Sequence, residues 1–182
     1  AACRLERVLL EHVVGTELIY EETNLDLGLR FSWSICSCAP FGLVRSCRLE
    51  ALGDRPVRVR YLDGWHQLIA PGITTAHTNN ISFLALAYLR HDLQPGSQLG
   101  IFTLNAAISD RPYAAESLRA AAAWSLGHRR PTVLLSTRQI AAFRRGERVR
   151  SEVEVRGEYG AYLVADEVRV SARRPHSWLT VA

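Results

Sequence analysis

Methionine and lysine are both missing from these 182 residues. Every one of the 22 basic side chains is therefore an arginine, set against 18 carboxylates for a net charge of +4. Arginine suits planar, bidentate contacts with carboxylates, phosphates and rings. The same bias follows from a G+C-rich coding sequence, which the wealth of alanine and glycine matches, so nucleic acid is not the expected partner. Long apolar runs are missing too: nothing approaches the roughly 18 residues of a membrane span, and no membrane partner is expected. The opening AACRLERVLLEH lacks the basic-then-apolar layout of an export signal. With no initiator methionine, the chain is expected to be a segment of a longer protein. Cysteine is scarce. Cys36 and Cys38 are one residue apart on an expected strand, where they share a face and do not cross-link easily. Cys3 and Cys47 stand alone. Free thiols and a reduced, cytoplasmic setting follow. A zinc site would need a gap of roughly two to four residues and a second cysteine pair, so no metal and no cofactor are expected.

What is present is apolar content of 48% with near-zero mean hydropathy, enough for one domain with a substantial core. Phe31, Trp33 and Ile35 alternate with Ser32, Ser34 and Cys36, which predicts a strand whose aromatic face needs a second sheet. Val13 to Tyr20 suits a strand interrupted at Gly15, and residues 24–28 a turn. Ser82–Leu93, rich in leucine and alanine, suits a helix by propensity, yet Pro95-Gly96-Ser97 separates it from the alternation of Ile101, Thr103 and Asn105, which suits a hairpin equally. Ala114 to Leu126 has the composition of a helix with Gly127 as its stop. Ser136 to Arg145 reads as a shorter helix with Ser136 as its N-cap. Val149, Val153 and Val155 intersperse with Arg150, Glu152, Glu154 and Arg156; Tyr162 and Val164, then Val168 and Val170, continue the meander, and Trp178 and Thr180 end it. Many short strands with frequent turns predict an all-β antiparallel sandwich with one or two short helices, as a single domain over residues 1–182.

The stretch from Phe41 to Ile73, FGLVRSCRLEALGDRPVRVRYLDGWHQLIAPGI, organises the rest. Val57, Val59 and Tyr61 alternate with Arg58 and Arg60, and Asp63-Gly64 is a pair suited to a tight turn. A hairpin is expected, whose exit delivers Trp65, His66 and Gln67 to a sheet edge. This stretch, with SFLALAY (82–88), LGIFTLNAAISD (99–110), AAESLRAAAAWSLG (114–127) and RGEYGAYLVAD (156–166), resembles the N-terminal β-sandwich of cellobiose-phosphorylase-like enzymes. The resemblance implies a supersandwich of the galactose-mutarotase-like kind. It also implies that the proton-donating acid lies in a helical toroid C-terminal to the sandwich, outside this chain. No catalytic residue is carried over. The implied role is a non-catalytic segment of a glycoside phosphorylase or hydrolase, packing against its catalytic domain or binding saccharide, with a homodimer as a further expected assembly.

Asp63, Asp110, Glu116 and Glu158 could supply a carboxylate pair for glycoside cleavage, but no spacing makes any two converge. A free-standing mutarotase-like epimerase is the first alternative, with a histidine acid from His66, His77 or His91 and a Glu or Asp base, and an Arg-rich nucleic-acid-binding module is the less favoured one. No glycine-rich phosphate loop and no Gly-x-Ser-x-Gly elbow is present. Sugars stack their apolar faces on rings while hydroxyls bond planar polar groups. Trp65, His66, Gln67 and Asp63 are thus the candidate substrate-binding residues. Arg129-Arg130 and Arg144-Arg145 read as solvated or helix-terminal charge. The cysteine spacing yields the first test: thiol titration of denatured, non-reduced protein is expected to find all four groups reactive, and two or fewer would place the chain in an oxidising compartment.

Overall fold

The computed structural model describes residues 3–15, 17–73, 86–105 and 119–182. Within them the fold is all-β: twelve strands in two antiparallel sheets, with one short helix. No helix among the described residues is long and apolar enough to cross a membrane. The chain divides into two compact units. One comprises Ala1–Tyr61, Ser125–Arg130 and Asp166–Ala182; the other comprises Leu62–Trp124 and Pro131–Ala165.

The first unit is built on a meander of β1 (Leu5–Glu11), β2 (Leu18–Asn24), β3 (Leu29–Cys38) and β4 (Gly42–Ala51). β12 (His176–Val181) then joins β4 in antiparallel register, with Trp178 opposite Cys47. Alternation sends Phe31 and Trp33 of β3, Cys47 and Leu49 of β4, and Trp178 of β12 to one face. That face packs on Val57, Val59 and Tyr61 of β5 (Val57–Leu68) and on Val168 and Val170 of β11 (Gly160–Val170). This is the sandwich that the aromatic face of β3 requires. Trp178 lies at its centre, 4% exposed, stacked on Tyr61 at 4.3 Å and on Phe31 at 5.9 Å. Such ring pairs contribute roughly 0.5–1.5 kcal/mol each beyond burial.

The second unit contains the β6–β7 hairpin (Leu89–Leu93 and Gly100–Leu104) and β8 (Ala120–Leu126), which starts in this unit. It also contains β9 (Thr132–Leu134), α1 (Ile140–Arg144) and β10 (Glu154–Arg156). β10 lies antiparallel to β6, where Arg90 meets Glu154 at 3.0 Å, an opposite-charge pair across neighbouring strands. Phe102 is fully buried over Gly100 and Gly160, and a Cβ at either glycine would strike its ring or the rings beside it. Leu134, Ala161 and Leu163 form a small core with Leu62, Ile140 and Val149.

Several expectations are corrected. The helix expected over Ala114–Leu126 is a strand where it is described: Ala120–Leu126 pairs with β7, and buried Ala123 sits opposite Gly100. Alanine's helix propensity is a weak prior that sheet pairing overrides. Residues 114–118 lie outside the described part. Within Ser82–Leu93, Leu86 and Ala87 are helical, and the strand begins at Leu89, where pairing with Leu104 begins; residues 82–85 and the loop at 74–80 lie outside the described part. Ser136 does not cap α1, whose N-cap is Gln139 without a side-chain bond. The Ser136 hydroxyl instead bonds the Glu152 carboxylate at 3.0 Å.

The expected hairpin between β4 and β5 does not form either. β4 pairs with β3 and β12, whereas β5 lies beside β11. Asp63-Gly64 does not end β5, which runs on to Leu68. Gly64 has another cause: with φ at +146°, its Cα lies so close to the Tyr162 carbonyl that a Cβ would collide with that oxygen. A glycine inside a strand often marks such close backbone approach. Gly64→Ala therefore meets both a left-handed φ and a backbone clash. It is expected to destabilise the protein by about 2–4 kcal/mol in chemical denaturation. A change within a few tenths of a kcal/mol would show that β5 and β11 can part without loss.

Candidate functional site

The first unit carries an open trough of about 490 Å³ on the sheet face opposite its aromatic core. The strand register explains the hollow. One row across the sheet reads Ile19, Ser34, Ser46 and Leu179; the next reads Glu21, Ser32, Arg48 and Ser177. Small serines occupy the middle strands, while Ile19 on one side and Leu179 and Leu126 on the other stand taller. Trp33, Cys47 and Trp178 lie between these rows in register and alternate to the opposite face, so they line the trough through their main chain. Gly127 closes one end. At φ +93° its backbone lies against Ser177 and Trp178, where a Cβ would come within 2.6 Å of the Ser177 carbonyl. That contact, not the end of a helix, is what requires glycine there.

A charged rail borders the serine floor. Arg48 donates through Nε and Nη2 to Glu50 Oε2 at 3.1 and 3.0 Å. Arg30 reaches Glu50 Oε1 at 3.3 Å and Glu21 Oε1 at 3.4 Å. Planar, forked groups held in place by one another thus stand beside hydroxyls and aliphatic side chains. This donor and acceptor set suits a neutral polyhydroxylated ligand better than a phosphate chain, because the guanidinium charges already face carboxylates.

The opposite face makes the floor stiff. Tyr20 stacks on Trp33 at 4.1 Å, and the Arg45 guanidinium lies 4.1 Å from the centroid of the same indole. Beside Trp178, the Tyr61 hydroxyl bonds His128 Nδ1 at 2.8 Å and His176 Nε2 at 3.1 Å. A phenol can donate to one imidazole and accept from the other, so the Tyr61 hydroxyl can serve both rings at once. Asp166 holds the adjacent loop through the amides of Arg129, at 2.8 Å, and Arg130, at 3.4 Å. Burial pushes the proton affinity of His176 down; the Asp166 charge opposes this and the Arg129 charge adds to it.

The residues singled out in sequence lie in other places. Asp63 and Trp65 are half-buried on β5, while His66 and Gln67 are exposed. Strand alternation turns Trp65 and His66 to opposite faces, so the two are not brought together. Gln67 takes φ +57°, which breaks the strand geometry just before its end. His91 is fully buried beside Phe102, with Nε2 on the Glu158 carbonyl at 2.8 Å. That contact fixes the proton on Nε2, and burial pushes the group's proton affinity down. Glu158 pairs with Arg138 at 2.5 Å, and Arg145 with Glu147 at 2.6 Å. His77, Asp110 and Glu116 fall outside the described residues. Among the described residues, no group of three or more His, Cys, Asp or Glu could hold a metal ion. The four cysteines are free thiols in this structure.

Sequence reading passed over the trough, although one signal was in view. Ser32 and Ser34 alternate with Phe31, Trp33 and Ile35, and that small polar face had no assigned role. Neither protein-family models nor the curated proteins yield a match to this chain.

The two depressed histidines give a pH dependence. Unfolded, each takes up a proton as pH falls through about its ordinary value of 6.5. Folded, each does so only at lower pH, so the unfolded chain binds more protons in between. Stability is thus fully present above 6.5 and is lost as the pH drops towards the lowered values. Thermal unfolding followed from neutral to mildly acidic pH is expected to show this decline, with His176→Gln and His91→Gln each making it shallower. An equal acid decline in both variants would assign it to other groups.

Proposed function

We propose that this chain is a non-catalytic β-sandwich segment of a carbohydrate-active enzyme, with the trough of its first unit as a saccharide-binding surface. The trough carries the reading: it offers serine hydroxyls, a forked Arg48–Glu50 pair and aliphatic flanks in one open strip of about 490 Å³. Saccharides present alternating hydroxyl edges and C–H faces, which this lining complements. The volume falls among those of small-molecule sites, roughly 300–1,000 Å³. The openness of the strip suits a chain lying across the sheet rather than a single enclosed ring. The resemblance of the FGLVR and LDGWHQLIAPG stretches to a glycoside-processing sandwich supports the same reading. It adds a C-terminal catalytic domain as partner and a cytoplasmic location to the proposal. Trp65 and its neighbours on β5 remain the second surface to which such a domain or a sugar could bind.

The free-standing epimerase remains a second reading, because Tyr61, His128 and His176 gather acid–base groups with Asp166 close enough to influence His176. One set of measurements separates the readings. Titration of the protein with oligosaccharides of differing linkage, followed by NMR shifts, is expected to give weak binding, roughly millimolar or about −4 kcal/mol. Ser46 is exposed, so Ser46→Leu should fill the trough without unfolding the sheet and should weaken this binding at least roughly tenfold. No turnover of aryl glycosides or of disaccharides with phosphate is expected. Binding lost in Trp65→Ala but kept in Ser46→Leu would move the site to β5. Anomer interconversion abolished by His176→Gln, or glycoside turnover abolished by one carboxylate change, would make the chain an enzyme.

A further inference from the structure

β1 is the outermost strand of the first unit's sheet, and all seven of its residues are exposed. Leu5, Val8, Leu9 and Leu10 are between 40% and 59% exposed, apolar on both faces of a strand whose only sheet neighbour among the described residues is β2. Its hydrogen-bonding polarity follows from two contacts at its ends. The Arg4 carbonyl accepts from Leu25, and the His12 amide donates to Glu17, so the even-numbered positions turn their main chain toward β2. Antiparallel ladders alternate, so Leu5, Arg7, Leu9 and Glu11 direct their N–H and C=O groups outward. Such an open edge is a template for another strand, and proteins that avoid pairing blunt it with proline, a bulge or lysine. β1 has no proline and no bulge in LERVLLE, and its charged residues are Glu6, Arg7 and Glu11. Its hairpin is also held in shape, by Arg4 on Asp26 at 2.8 Å and Arg7 on Glu22 at 2.7 Å.

The sequence of the edge complements itself. In an antiparallel pair of two copies related by a two-fold axis at Leu9, Leu9 faces Leu9 and Val8 faces Leu10. Arg7 faces Glu11, and Glu6 faces His12. Every charge meets an opposite or titratable partner and every apolar residue meets an apolar one. Centring on Arg7 would oppose two guanidiniums; centring on Val8 would set Arg7 against Leu9 and Leu5 against Glu11. Centring on Leu10 would set Glu11 against Leu9. In the Leu9 register the hydrogen-bonded pairs are Leu9–Leu9 and Arg7–Glu11, whose main-chain groups are those left outward. Val8 and Leu10 form the closer, non-bonded pairs.

We propose that β1 is a homodimerisation edge, pairing antiparallel with β1 of a second copy in the Leu9-centred register and extending the sheet across the two-fold axis. The occupant is a second copy because the edge is complementary to itself in charge as well as in apolar character. Arg7 then bridges Glu22 of its own chain and Glu11 of the other. A seven-residue edge is small beside the roughly 1,200–2,000 Å² of a standard stable interface, so the association is a concentration-dependent equilibrium.

Sedimentation equilibrium of the 182-residue protein tests this. Wild type is expected to move from monomer to dimer with concentration. Leu9→Pro removes an outward N–H and leaves the β1–β2 bonds intact; it should weaken the dimer at least tenfold with an unchanged circular dichroism spectrum. Glu11→Arg should weaken it similarly by opposing two cations. Arg7→Glu combined with Glu22→Arg and Glu11→Arg should recover most of the loss, because the pairs to Glu22 and to Glu11 of the other copy are both re-formed in reverse. A wild type that stays monomeric at its solubility limit would overturn the proposal. So would a dimer that Leu9→Pro and Glu11→Arg leave unchanged, which would mean that copies meet through another surface.

Discussion

Trp178 is the ring on which the first unit depends. It lies 4% exposed between the two sheets, stacked on Tyr61 of one sheet and on Phe31 of the other. His128 and His176 complete the ring cluster and bond the Tyr61 hydroxyl, so the polar end of that tyrosine is satisfied where it would otherwise be buried at a cost. Apolar burial, stacking and the hydrogen bonds of the Tyr61 hydroxyl therefore meet at β12, the strand that joins β4. Without that strand the meander from β1 to β4 would keep its ladder and lose the partner that covers its aromatic face.

The trough follows from the same arrangement. Because alternation commits Trp33, Cys47 and Trp178 to the core, their neighbours Ser32, Ser34, Ser46 and Ser177 must face the other way. A floor built from short side chains is low by construction, and it is rigid because the bulky residues behind it are packed. The Glu21–Arg30–Glu50–Arg48 rail holds its donors and acceptors in place without burying them. Shape and polarity at this surface are thus by-products of how the core is filled.

Much of this was legible locally. The period-two pattern at Phe31, Trp33 and Ile35 marks β3, Pro95-Gly96-Ser97 marks the β6–β7 turn, and the valine-rich tail marks β11 and β12. Misreadings occur where a local signal has two physical causes. Asp63-Gly64 has the chemistry of a tight turn, yet Gly64 is there because a neighbouring carbonyl leaves no room for a side chain. The Ala-rich run at Ala120–Leu126 favours a helix in isolation, yet small side chains also serve a strand whose Ala123 lies buried against Gly100. The trough and the Tyr61–His128–His176 trio belong to a different class. Members of the trio are separated by up to 115 positions, and those of the trough by more; both meet only through pairing register, which no local pattern encodes.

That long reach bears on how the protein is made. The first unit draws on residues up to 61, on Ser125–Arg130 and on Asp166–Ala182. β3 and β4 leave the ribosome long before β12, and their aromatic face has no covering partner during that interval. Non-local pairing of this kind is slow, since chain closure must come before the contacts that reward it. The second unit's β6–β7 hairpin closes over a turn of a few residues and can form while the chain is still growing. Synthesis therefore proceeds from the N-terminus, whereas consolidation of the N-terminal unit comes last. In a nascent chain the open β1 edge and the uncovered face of β3 are exposed together, which makes this interval the one in which holdase chaperones have most to protect.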